Sequence, residues 1–123
     1  MLQRVLLVVA FLLAVSAAPV LAQDAVKVDP KHYKVEFEND QIRVLRINYG
    51  PHEKSVMHEH PPNFAIFMTE GHGKFTFPDG KTQDVPFKAG VTQWDPGGKH
   101  LPENLGDKAF EVIVVELKSK PGK

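Results

Sequence analysis

The chain has 123 residues, 15 of them basic and 15 acidic, with no cysteine and a formal net charge of zero. Near-neutrality with interleaved charges gives no electrostatic footprint for nucleic acid or for an anionic lipid surface. The missing cysteine excludes a disulfide and a lipid-anchoring thiol, so a domain of this size depends on a packed apolar core, reinforced by a metal or a partner subunit.

Residues 1–22 read as a secretory signal peptide. Arg4 precedes an unbroken apolar run from Val5 to Val15, and Val20-Leu21-Ala22 places small residues at −3 and −1 before Gln23. The run is short for a membrane span, which needs about 20 residues; an uncleaved anchor is the alternative. Cleavage leaves 101 residues, the size of one domain, with 14 basic and 15 acidic side chains. The expected location is periplasmic or secreted, with no membrane contact after cleavage.

The rest reads as short strands divided by punctuation. Tyr33 to Glu38 alternates Val35 and Phe37 with charges and ends in an Asn39-Asp40 turn. Gln41 to Tyr49 follows, and its break in parity at Val44-Leu45 predicts a bulge or a strand buried on both faces. Ser55 to His60 stops at Pro61-Pro62. Phe64 to Glu70 and Lys74 to Phe77 come next, then a Pro78-Asp79-Gly80 turn in which proline presets φ and glycine takes the left-handed position. Lys81 to Val85, Val91 to Asp95 and Lys108 to Lys118 complete the set, the last strongly β-prone from Phe110 to Leu117. No ten-residue window after residue 23 has a helical period. Eight or so short strands with Gly/Pro turns predict an all-β sandwich or barrel over residues 23–118, with 119–123 as a frayed tail.

His58 and His60 carry the chemical signal. Alternate residues of a strand project from one face, about 6.6 Å apart, so both imidazoles lean toward one point. On a helix they would diverge. His100, forty positions on, is the expected third ligand, delivered by another strand.

These residues sit in a pattern that resembles the cupin family of small jelly-roll β-barrels. The first motif of that family has the form G-(x)5-H-x-H-(x)3-4-E-(x)6-G, and here His58-Glu59-His60 matches H-x-H while Gly71 matches the closing glycine. The second has the form G-(x)5-P-x-G-(x)2-H-(x)3-N. Gly90, Pro96 and Gly98 match its spacing, and His100 with Asn104 matches H-(x)3-N, with one residue missing between Gly98 and His100. The glutamate slot, four residues after His60, holds Phe64, and the opening glycine slot holds His52.

The resemblance implies a single-domain jelly roll and a mononuclear metal site. The family's usual ligands are three histidines and a glutamate; this chain offers His58, His60 and His100. An all-imidazole set suits Zn, Cu, Ni or Fe, with Mn also in range, better than Mg or Ca. Gln93, Glu103 or a solvent ligand would complete the shell, and Phe64 and Trp94 are expected to shape the pocket. The plainer alternative is a barrel that has lost its metal and keeps the histidines as polar pocket residues. Ile66 and Met68 share the parity of the histidine pair and read as core, His52 as a solvated loop residue, and His72 as outward-facing; His32 carries no signal.

Two functional expectations result. One is a small exported metalloenzyme acting on a compact organic substrate, of oxygenase, isomerase or lyase-like type, with Glu103 as a speculative acid/base. The other is a non-catalytic module that captures a small ligand or a metal. A homodimer through edge strands is expected from the resemblance and the apolar strand 110–117. Because histidines bind metal only when neutral, occupancy is expected to fall below about pH 6.

Overall fold

The structure, a computed structural model, describes residues 23–119. The signal peptide expected over residues 1–22 and residues 120–123 of the tail lie outside them. Among the described residues, no helix is long and apolar enough to cross a membrane.

Among the described residues, one helical turn, α1 (Ala25–Val28), leads into nine strands: β1 (Tyr33–Glu38), β2 (Ile42–Tyr49), β3 (His58–His60), β4 (Asn63–Phe67), β5 (Gly71–Thr76), β6 (Thr82–Phe87), β7 (Thr92–Asp95), β8 (Gly98–Asn104) and β9 (Phe110–Leu117). They form two facing sheets, ordered β1-β2-β9-β4-β7 and β3-β8-β5-β6. All strand pairs are antiparallel. The expected jelly-roll β-barrel is therefore the observed architecture.

Local chemistry explains the turns. Asn39 Oδ1 accepts the backbone N–H groups of Gln41 and Ile42 at 2.8 and 2.9 Å, closing the corner between β1 and β2. Gly80 has φ +86° where the β5–β6 hairpin reverses. The parity break near Val44-Leu45 is a bulge whose extra residue sits on the partner strand: Val35 faces Leu45 and Phe37 faces Val44.

The inner face of the larger sheet is graded. Tyr49 and Phe110 pair at one end, then Ile47, Val112 and Phe67, then Leu45, Val114 and Ala65. These are core residues, joined by Phe87 from the smaller sheet. At the other end the row turns polar: Arg43, Glu116, Asn63 and Asp95 are register neighbours across β2, β9, β4 and β7. That polar end faces the histidines.

The parity expected for β4 fails. Pro61-Pro62 carries the chain from one sheet to the other, and the inward set becomes Asn63, Ala65 and Phe67. Phe64 and Met68 are exposed instead, and Trp94, which pairs with Phe64, is 53% exposed. Both pocket assignments, Phe64 and Trp94, are corrected: these side chains lie on the outer face. The strand expected to deliver His100 is β8, a segment absent from the strands read along the chain.

Candidate metal centre

The pairing of β3 with β8 sets His58 opposite His100 and His60 opposite Gly98. Residues directly opposite in an antiparallel pair share a face, with Cβ atoms about 5 Å apart. The three imidazoles therefore converge. Ring centroids lie 4.8 Å apart for His58–His60, 4.9 Å for His58–His100 and 5.2 Å for His60–His100, with planes 74–89° to one another. One ring nitrogen from each lies within 4.8 Å of the others.

Hydrogen bonding fixes two of the tautomers. His58 Nδ1 is 2.8 Å from the Val56 carbonyl, and His60 Nδ1 is 2.7 Å from Glu116 Oε2. Both partners only accept, so each Nδ1 donates its N–H and each Nε2 presents a lone pair. Nε2 of His58 and of His100 is buried without any hydrogen-bond partner. A buried polar atom left alone is costly, and two such atoms aimed at one point fit a metal ion. Burial, and then the neighbouring imidazoles, push the pKa of His58 down to about 4 and that of His100 down to about 2. Both are neutral at pH 7, as ligation requires.

The surroundings hold the rings. Phe75 of β5 stacks on His100, with centroids 4.6 Å apart and planes 21° apart. Tyr33 packs edge-on against His58 at 4.8 Å. Its hydroxyl lies 2.6 Å from that of Tyr49, and burial raises the pKa of both phenols. Asn104, the last residue of the second motif, is a clamp. Its amide donates to the carbonyls of Gly50 and Lys108, and its Oδ1 accepts from Gly106 N–H.

Two groups went unread in the sequence. Glu116 is 1% exposed and contacts His60 directly, yet a lone acid near the end of an apolar strand reads as a surface residue. His32 is buried, donates from Nδ1 to Asp29 at 2.7 Å and stacks on Tyr49. The i,i+3 spacing of Asp29 and His32 was the available sign. His52 and His72 are exposed, as parity and loop chemistry predict.

A cavity of about 100 Å³ opens from His60 and His100 into the barrel, walled by Ile47, Ala65, Phe67, Phe75, Phe87 and Val112 among others. Gln93 and Asp95 border it from β7. Glu103 also borders it, but it alternates with His100 along β8 and faces Lys74 across the ladder. That parity turns its carboxylate away from the histidines, against the acid/base role expected of it. Among the described residues, no Lys or Arg lines the cavity.

No protein-family model matches the chain. In sequence it is similar to flexible cuticle protein 12 of Hyalophora cecropia, at 34% identity over 103 residues covering 77% of this chain and 93% of that protein. In structure it is similar to a cupin domain from Bordetella pertussis Tohama I, with TM-score 0.65 and 24% identity, covering 71% of this chain and 92% of that one. It is also similar to an RmlC-like cupin with a double-stranded β-helix fold from Methanocaldococcus jannaschii, with TM-score 0.56 and 22% identity, covering 72% and 83%. A double-stranded β-helix protein from Klebsiella pneumoniae gives TM-score 0.58 and 22% identity, covering 73% and 74%.

Fold and site together define a small β-barrel with a cup of three histidines. The chain has the double-stranded β-helix fold seen in cupins.

Proposed function

We propose that this protein is exported, holds one divalent transition metal through His58, His60 and His100, and receives a compact organic ligand in the adjoining cavity. The observation that carries the reading is the pair of buried, unpartnered Nε2 atoms of His58 and His100, with His60 Nε2 presented beside them. An ion bound there would supply Lewis acidity toward a ligand oxygen. The chain itself supplies neutral, oriented imidazoles and an apolar wall that sheds water from the ligand's body.

The test is elemental analysis of protein exported by its native route, beside a variant with all three histidines changed to Ala. One equivalent of metal in the first and none in the second is expected. Metal-free native protein, or an unchanged content in the variant, rejects the site.

Non-catalytic capture is the second reading, and one observation favours it. Two sets of polar groups around the cavity are held by protein partners: the Tyr33 and Tyr49 hydroxyls by each other, and Asp95 Oδ1 by Gly97 N–H at 2.8 Å. Metal content without turnover across a panel of small acids, alcohols and ketones supports capture.

Self-association belongs to the same proposal, by a different surface from the one expected. β9 is paired on both sides, by β2 and β4, so strand 110–117 offers no free edge. The outer face of its sheet is available instead. Phe37, Val44, Val115, Phe64 and Trp94 form one register row across all five strands. The three aromatic rings, 39–53% exposed, offer roughly 300 Å² of apolar surface. With Leu117 and the Val and Ile neighbours this reaches the size at which an apolar patch marks an interaction surface. Arg46 on that face is already paired with Glu36 and Glu111. A face without a surplus of either charge matches a second copy of itself.

A further inference from the structure

We propose that Glu116 replaces the absent motif glutamate, acting one bond further out: it positions His60 for the metal rather than ligating the metal itself. The inference rests on the metal-binding reading above and assigns a role that the motif comparison does not contain.

No carboxylate reaches the cup from β4. Phe64 in the motif slot faces outward, and the inward position beside it is Ala65. The acid comes from the last strand instead. Glu116 lies opposite Arg43 on β2 and Asn63 on β4 and is almost wholly buried. Its two oxygens divide the work. Oε2 accepts His60 Nδ1–H at 2.7 Å, and Oε1 accepts Arg43 Nε–H at 2.7 Å. The far end of the Arg43 guanidinium is held by Asp24, just ahead of α1. The carboxylate is thus held from both sides, and the imidazole bonded to it has one tautomer and one direction.

The chemistry differs from that of a ligating glutamate. An imidazole that donates to a carboxylate is a more basic ligand with a fixed ring plane. The negative charge stays off the ion and is offset by Arg43. An ion held by three neutral imidazoles keeps its positive charge directed at whatever enters the cavity.

The alternative is that Asp24–Arg43–Glu116 only ties the N-terminal turn to the barrel. Three substitutions in the full chain separate the two. Glu116→Gln keeps the shape and removes the charge. Glu116→Asp keeps the charge but withdraws it by one methylene. Arg43→Met cuts the tie to Asp24 and leaves the His60–Glu116 bond. Zn²⁺ affinity is read by competition with a chromophoric chelator, the Co²⁺ absorption spectrum reports ligand geometry, and imidazole ¹⁵N shifts of metal-free protein report the His60 tautomer.

We expect Glu116→Gln to weaken Zn²⁺ binding roughly 10- to 100-fold, to alter the Co²⁺ bands, and to release His60 from its single Nδ1–H form. Glu116→Asp should recover part of the affinity, and Arg43→Met should lose less than Glu116→Gln. Wild-type affinity, spectrum and tautomer in Glu116→Gln would overturn the proposal while leaving the metal site standing. Equal losses in Arg43→Met and Glu116→Gln would make the chain a structural tie and overturn it as well. A wild-type protein that binds neither ion removes the metal reading and this inference with it.

Discussion

A histidine that resists protonation when folded imposes a slope on stability. His58 titrates near 4 in the folded chain against an ordinary 6.5, because burial disfavours its charged form. Between those values the unfolded chain binds the extra proton and the folded chain does not, so lowering the pH favours unfolding. The effect is absent above pH 6.5, grows as pH falls toward 4, and amounts to roughly 3 kcal/mol if fully expressed. Urea titrations of metal-free protein at pH 7.5, 6 and 5 should show it, and His58→Gln should flatten the slope; equal slopes would mean that this residue is not the cause. The same shift lowers the expected pH of metal release, since a proton competes weakly with an ion for an imidazole that protonates this late, and loss should centre well below pH 6. Gly97 makes a separate residue-scale case. Its φ is +94°, and a Cβ there would lie 2.8 Å from the His60 carbonyl oxygen. Gly97→Ala should cost roughly 1–3 kcal/mol, measured by thermal melting, and should loosen the strand that carries His60.

Among the elements, those with strict alternation and a strong turn were legible in the sequence. β1, β2 and β9 were read from branched and aromatic residues, and the Asn39 and Gly80 corners from their side chains. His58, His60 and His100 were legible because the motif spacing encodes a strand pair and its partner. β8 was not, since Gly98-Lys99-His100-Leu101-Pro102-Glu103-Asn104 carries Gly and Pro and little apolar periodicity; pairing with β3 and β5 makes it a strand. β4 was read on the wrong face because parity does not survive a change of sheet. The corrected facing has a measurable consequence. Phe67→Ala removes an inward ring and should cost about 3–5 kcal/mol. Phe64→Ala, on the outside, should cost under about 1 kcal/mol in the same urea titrations. Comparable costs would contradict the assignment of faces. Glu116 and His32 escaped the sequence reading for a shared reason: each is defined by a partner from a distant segment.

Taken as a whole molecule, the chain has two surfaces whose loss should be separable. Metal binding to the folded state alone raises stability by about 2.7 kcal/mol at a hundredfold excess over Kd. Zn²⁺ should therefore raise Tm in the wild type and leave the triple histidine variant unmoved. Changing Phe64 and Trp94 together to Glu should convert a dimer to a monomer by light scattering while leaving the Zn²⁺-induced Tm shift intact. A monomeric wild type would remove the outer face as a self-association surface.

The antiparallel ladder between β2 and β9 joins residues 42–49 to residues 110–117. Glu116 rides on β9, so the group that steadies His60 is synthesised 56 residues after it. Before β9 is made, a nascent chain can expose its histidines but cannot complete this ladder, and pairing over so long a separation is slow. If the cup takes an ion, His60 would gain its fixed direction toward it only once β9 has paired.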